Sequence, residues 1–161
     1  MKRIALIIVV AVFGTISSNA QITKVDQEVF GMDCAPCAYG LERGLKKMDG
    51  IEKVRVSLND GKAYLDLTAN NNLSLKQIQE EVKVNGFSAK NAEVVLEGQL
   101  IKEDNALKIK VKNEEYYLTS NTGQSVINSL QPGTVKVRGI VQDEEDGSLT
   151  DKWKIKITEI L

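Results

Sequence analysis

Apolar positions along this chain change their period several times, and each change marks an element. Ile22 to Phe30 reads as an extended first strand. Cys37, Ala38, Leu41, Leu45 and Met48 then recur at helical spacing, with Glu42, Arg43, Lys46 and Lys47 on the other face. Pro36 suits the first turn of that helix and Gly50 the residue just past its last. Gly40 and Gly44 weaken a helix, so they are expected to permit close packing on a sheet. Val54, Val56 and Leu58 alternate with polar residues, and after Asn59-Asp60-Gly61 the alternation resumes in Ala63, Leu65 and Leu67, which predicts a hairpin. Ser74 and Gln77 form a capping box, Leu73 is placed to staple onto Ile78, and Leu75, Ile78 and Val82 make the inner face of a second helix. Gly86 ends it, and Phe87 to about Asn91 forms one more short strand. The fold class is therefore α+β: a ferredoxin-like βαββαβ sandwich over residues 21–91, both helices on one face of an antiparallel sheet.

Beyond residue 91 the helical period gives way to short alternations. Residues 94–101, 107–111, 116–119, 134–141 and 153–157 read as five strands, with one short helix over 125–130 between the third and fourth. That order predicts a second domain, 92–161, built as a small five-stranded OB-like β-barrel. Gly98 and Gly139 fall inside strands, where such a barrel needs bends or bulges. Lys108, Lys110, Lys112, Lys136, Arg138, Lys152, Lys154 and Lys156 occupy alternate positions and are all expected outside.

The first twenty residues are expected to lie outside the fold. Lys2 and Arg3 precede an apolar run from Ile4 to Phe13, and Ser18-Asn19-Ala20 supplies small residues for cleavage before Gln21, so 1–20 reads as a signal peptide. The apolar run is short for a membrane span, and no later segment is apolar enough to make one. The expected location is periplasmic or secreted. Charge is nearly balanced, 21 Lys and Arg against 22 Asp and Glu, so there is no global pull toward nucleic acid or anionic lipid. With no histidine, imidazole metal sites and imidazole-based triads are excluded. Asp143-Glu144-Glu145-Asp146-Gly147 lacks the spacing of an EF-hand loop and reads as a solvated turn.

The chemistry concentrates at Cys34 and Cys37, the two cysteines of the chain. A Cys-x-x-Cys at a helix N-terminus brings two sulfurs within reach of one ion, and the helix dipole favours thiolate. The period places Cys37 at the top of the buried stripe and Cys34 on the loop, more exposed. Two converging thiolates select soft or borderline ions: copper(I), zinc, cadmium or mercury(II). The same pair also admits a thiol–disulfide redox protein or a structural disulfide. A thioredoxin-like site is disfavoured because Asp33 precedes the first cysteine and the other proline, Pro132, is remote. A bridge closing so small a loop restricts the unfolded chain little.

Gly31-Met32-Asp33-Cys34-Ala35-Pro36-Cys37, the Leu41 and Leu45 stripe, Gly50, the Val54 strand and Gly86-Phe87 together resemble the heavy-metal-associated domain of copper chaperones, metal-pumping ATPase modules and periplasmic mercury-binding proteins. The resemblance implies that Cys34 and Cys37 are metal ligands and that Met32 packs beneath the loop without binding metal. Aspartate at position 33 is similar to modules handling zinc, cadmium or lead, where copper(I) members often carry threonine. Asp33 is thus a candidate third ligand, set against a solvated carboxylate that helps cap the helix. The implied protein is not an enzyme. It is a metallochaperone or scavenger taking Cu(I), Zn(II) or Hg(II), with a membrane metal transporter or thiol-rich carrier as partner and no nucleic acid.

Overall fold

The computed structural model describes residues 20–103, 106–143 and 149–161; the expected signal sequence, save its last residue, and Glu144 to Gly147 lie outside them. Among the described residues no helix is long and apolar enough to cross a membrane.

The first lobe follows the expected order: β1 (Gln21–Phe30), α1 (Ala35–Lys46), β2 (Ile51–Ser57), β3 (Lys62–Leu67), α2 (Leu75–Val84) and then β4 (Ser88–Glu103). The strands lie in the order β2-β3-β1-β4, all antiparallel. Ile22, Val25 and Leu65 from the sheet bury against Leu41 and Leu45 of α1 and Ile78 and Val82 of α2, so the apolar stripes read from the sequence are the faces that meet. Both halves of the capping box form, with Ser74 Oγ accepting the Gln77 N–H at 3.1 Å and Gln77 Oε1 accepting the Ser74 N–H at 3.0 Å. The two glycines of α1 do not approach the sheet as expected. A Cβ at Gly44 would meet Glu81 Oε1 of α2 and Nδ2 of its C-cap residue Asn85 at 2.6 Å, whereas Gly40 faces open space.

The structure corrects the expected break between lobes. The segments read as 87–91 and 94–101 are one 16-residue strand, β4, so the boundary drawn at 91/92 falls inside it. What looked like an ending is a bulge: the β1–β4 register shifts between Gln27 and Val29. The buried Gln27 side chain fills it, donating from Nε2 to the carbonyls of Glu28 and Lys90 at 2.8 Å, while its Oε1 accepts from Gln79 Nε2 of α2 at 3.0 Å. The pairing therefore resumes instead of stopping.

Along one side β4 pairs with β1 as far as Glu97 and with β5 (Ala106–Val111) from Gln99; along the other it pairs with β7 (Gly133–Val141). Gly98 is the fork. A Cβ there would lie 2.5 Å from the Lys110 carbonyl oxygen and 2.8 Å from Ile109 Cγ2, so only glycine lets β5 come in beside β1. From β5 the sheet continues to β6 (Glu114–Leu118), which runs parallel to β8 (Lys152–Ile160); β8 pairs antiparallel with β7, and β7 returns to β4. The five strands close a ring around Leu96, Ile109, Tyr116, Val137, Trp153 and Ile155, with α3 (Gln124–Ser129) connecting β6 to β7. The expected irregularity at Gly139 is present as a register shift between Arg138 and Gly139. One contiguous cluster of buried residues runs from the helices of the first lobe into the ring.

Of the lysines expected outside, Lys108 is the exception: only 8% exposed. Its ammonium lies 2.6 Å from Glu103 and 3.0 Å from Glu115, over the Tyr117 ring. Those carboxylates raise its pKa above the usual lysine value.

Glu114 joins the lobes. It is 3% exposed, and its carboxylate reaches across to α2, accepting the Leu75 N–H at 2.9 Å and the Lys76 N–H at 3.0 Å. The same two oxygens accept the Tyr116 hydroxyl at 2.8 Å and Trp153 Nε1–H at 2.9 Å. With Ser74 serving Gln77, the first three N–H groups of α2 all have partners.

Candidate metal centre

The loop bearing the cysteines is anchored at both ends by side chains that point into the first lobe. Phe30 closes β1, Gly31 turns the chain at φ +89°, and Met32 is buried beneath the loop at 6% exposure, while Ala38 and Leu41 fasten the far side. Met32 thus stands where the resemblance puts it.

Cys34 is the N-cap of α1, with extended backbone (φ −142°, ψ 150°) and a sulfur that accepts the Cys37 N–H at 3.1 Å. The helix ladder begins with the Ala38 N–H donating to the Cys34 carbonyl at 3.1 Å. The expected cap by Asp33 is therefore not made; the cysteine takes that place one residue on. Cys34 and Cys37 have Cα atoms 5.1 Å apart and are joined as a disulfide. Both are half-buried, Cys37 against the core cluster.

Asp33 is exposed. Among the described residues no three His, Cys, Asp or Glu side chains group to hold an ion, so the two sulfurs come together without the Asp33 carboxylate. The first turn of α1 carries no acidic residue, and Arg43 and Lys46 lie in its last. Phe30, just before the loop, and Tyr39, in α1, are 69% and 64% exposed, and Ala35 and Pro36 are exposed as well. Once reduced, the pair would offer an ion two sulfurs on a fixed loop. It suits a soft ion satisfied by two ligands, and leaves coordination open for an ion that wants more.

This loop and the β5 side of the ring sit at opposite ends of β4. Ser88 pairs with Phe30 beside the cysteines, whereas Gln99 pairs with β5, and at about 3.3 Å per residue those two points are roughly 35 Å apart. The feature that sequence reasoning missed is Glu114. Its signal was present, because Glu114 shares with Tyr116 the strand face that alternation sends inward.

With that geometry in view, the class of the segment can be stated: residues 28–88 match the model of the heavy-metal-associated domain family. Zinc/cadmium/lead-transporting P-type ATPases from Shigella sonnei (strain Ss046) and Escherichia coli (strain K12) are 31% and 29% identical to the chain over 85 residues. The match takes in 53% of this chain and 11% of each of theirs, so the chain spans about a tenth of the length of the curated relatives it matches. Among solved structures, a copper-binding domain of a P-type ATPase is 30% identical over 45% of this chain and 92% of its own, with a TM-score of 0.39. The CopZ metallochaperone is 21% identical over 42% of this chain and 98% of its own, also at 0.39.

Proposed function

We propose that this protein is an exported carrier or scavenger of one soft or borderline metal ion, held as cargo between the sulfurs of Cys34 and Cys37. The observation that carries the reading is the placement of both sulfurs on a core-anchored loop at the head of α1, inside the segment matching the heavy-metal-associated family. The names of the similar proteins point the same way, to zinc, cadmium and lead in one group and copper in another. Asp33 is the candidate third ligand for zinc. The ring serves as an OB-like docking or structural module, and the partner is a membrane metal transporter or another thiol-rich carrier.

The chemistry is ligand exchange, not turnover. In the reduced protein each cysteine gives up its proton as the ion arrives, so uptake weakens as the pH falls. The N-terminal end of α1 favours the resulting negative charge. An incoming thiolate from a partner then displaces one sulfur at a time, reaching the loop across the exposed Ala35 and Pro36.

The test is metal analysis of the reduced chain, purified anaerobically and challenged with copper(I), zinc and mercury(II) in competition. One ion per chain is expected, lost in Cys34→Ala and in Cys37→Ala with the fold retained. Stoichiometric binding that survives either substitution would contradict the paired-sulfur site.

A further inference from the structure

The ring is filled around Tyr116 and Trp153 but not at the end where β4 runs out. There β4 turns Leu100 and Lys102 to the inner face, and β5 sets Leu107 directly opposite Lys102. The inward position of β7 opposite Leu100 shares the parity of buried Val135 and Val137, but it is Gly133 and supplies no side chain. α3 covers the gap loosely. None of its residues is buried, its N-cap Gly123 makes no side-chain bond, and Ile127 is half-buried. What remains is a cavity of about 190 Å3 lined by Leu100, Lys102, Leu107, Ile127, Leu130 and Pro132.

We propose that this cavity binds a small aliphatic carboxylate, with the hydrocarbon chain among the leucines and the carboxylate on the Lys102 ammonium. The site lies beyond the fork at Gly98, away from Cys34 and Cys37, and stands independently of the metal reading.

Three observations carry it. Lys102 breaks the inward apolar pattern of β4, as Glu114 breaks that of β6, and the two differ in how they are satisfied. Glu114 accepts four donors, whereas Lys102 makes no ion pair or hydrogen bond among the described residues. Glu103, next to it in sequence, lies on the outer face and is taken by Lys108. The lysine stem can therefore run along Leu107 with its charge held at the cavity rim. The lining as a whole selects an amphipathic anion. Pure hydrocarbon would leave the ammonium unmatched, a compact polar anion would gain nothing from five apolar side chains, and an aliphatic carboxylate matches both. Size sets the chain length, because at roughly 30 Å3 for each water-sized group the space holds about six carbons. That is the scale of octanoate.

The full chain is titrated calorimetrically with butanoate, hexanoate, octanoate, decanoate and octan-1-ol, and methyl NMR spectra are followed with octanoate. One octanoate per chain is expected, with affinity rising about threefold to fourfold for each methylene from butanoate to octanoate and levelling at decanoate as the cavity fills. Shifts should centre on Leu100, Leu107, Ile127 and Leu130. Lys102→Met keeps an apolar stem and should weaken octanoate by roughly fivefold while leaving octan-1-ol unchanged. Ile127→Glu puts a carboxylate in the wall and should abolish octanoate binding; Val126 and Leu130, which pack α3 on the core, are untouched. Absence of saturable octanoate binding at millimolar concentration overturns the proposal, and so does an affinity indifferent to chain length. Shifts centred instead on exposed Phe30 and Tyr39 would show adhesion to apolar surface and overturn it as well. Dimerisation that buries α3, read by sedimentation, would give the cavity to a second copy of the chain. Equal weakening of octanoate and octan-1-ol by Lys102→Met would remove the carboxylate from the site. The chain-length series on the unaltered protein decides the matter even where a variant fails to fold.

Discussion

The carboxylate of Glu114 accepts the backbone N–H of Leu75 at 2.9 Å, joining a ring strand to the first turn of a helix 39 residues away in sequence. A single buried acid thereby caps α2 and, through Tyr116 and Trp153, braces the inside of the ring. The two lobes are continuous in three ways: they share β4, they share a core, and they share this carboxylate.

Replacing Glu114 should therefore cost more than an ordinary cap. Glu114→Ala leaves the Leu75 and Lys76 N–H groups, the Tyr116 hydroxyl and the Trp153 indole without their acceptor, and a loss of about 3 kcal/mol or more is expected. Glu114→Gln keeps the volume but turns an NH2 toward two donors, for about 1–3 kcal/mol. Urea unfolding followed by Trp153 fluorescence reads both. A loss below about 0.5 kcal/mol for the alanine variant would show that solvent satisfies these groups and that the brace is not one.

Tyr116 makes the same junction sensitive to alkali. Burial, reinforced by the neighbouring Glu114 charge and hydrogen bond, raises its pKa well above the ordinary tyrosine value. The folded state thus keeps the proton that the unfolded chain gives up near pH 10, so stability is full below about pH 10 and falls as the pH rises beyond it. Tyr116→Phe loses a hydrogen bond at every pH but removes this alkaline decline. Denaturation midpoints from pH 8 to 11 should converge for the two proteins at the upper end. Parallel curves would place the alkaline loss elsewhere.

Much of the fold is legible in the sequence because side-chain period reports faces. The stripe of Leu41 and Leu45, the capping box at Ser74 and the alternation of Trp153, Ile155 and Ile157 all became the buried surfaces they implied. Period does not report partners. Nothing in residues 88–103 says that β4 changes neighbour at Gly98, and the polar run Lys90-Asn91 reads equally as an end or a bulge until Gln27 is seen to fill it. At the site, the positions of Cys34, Cys37 and Met32 followed from the motif, but the capping role went to Cys34 and not to Asp33. The sequence leaves the oxidation state of two neighbouring thiols open, since it turns on the potential around them as well as on their spacing.

Gly98 and Gly40 make a contrasting pair. At Gly98→Ala the new Cβ meets the Lys110 carbonyl and the Ile109 side chain, so β5 must move from the fork, at an expected cost of about 2–3 kcal/mol and with loss of amide protection along β5. Gly40→Ala adds a methyl to open space on a helix and should stabilise by up to about 1 kcal/mol. Thermal melts with hydrogen exchange check both. A neutral Gly98→Ala would mean that the switch of partner does not depend on close approach.

Asp33 decides which ions the loop can prefer. Two thiolates already satisfy a linear copper(I) centre, so a third anionic donor adds little to it, whereas zinc seeks about four ligands and gains from a nearby carboxylate oxygen. The carboxylate stands next to Cys34 in sequence but is exposed and outside any ready-made cluster, so it must swing in as the ion binds. Asp33→Ala should therefore lower zinc affinity by roughly tenfold or more and leave copper(I) within about threefold, measured by chelator competition on the reduced protein. Asp33→Asn separates charge from reach, because it keeps an oxygen donor while removing the negative charge, and should fall between. Equal losses for both ions would make Asp33 a general electrostatic contributor to the loop and remove it from the ligand set. Zinc would then have to complete its shell from water or from the partner that delivers it.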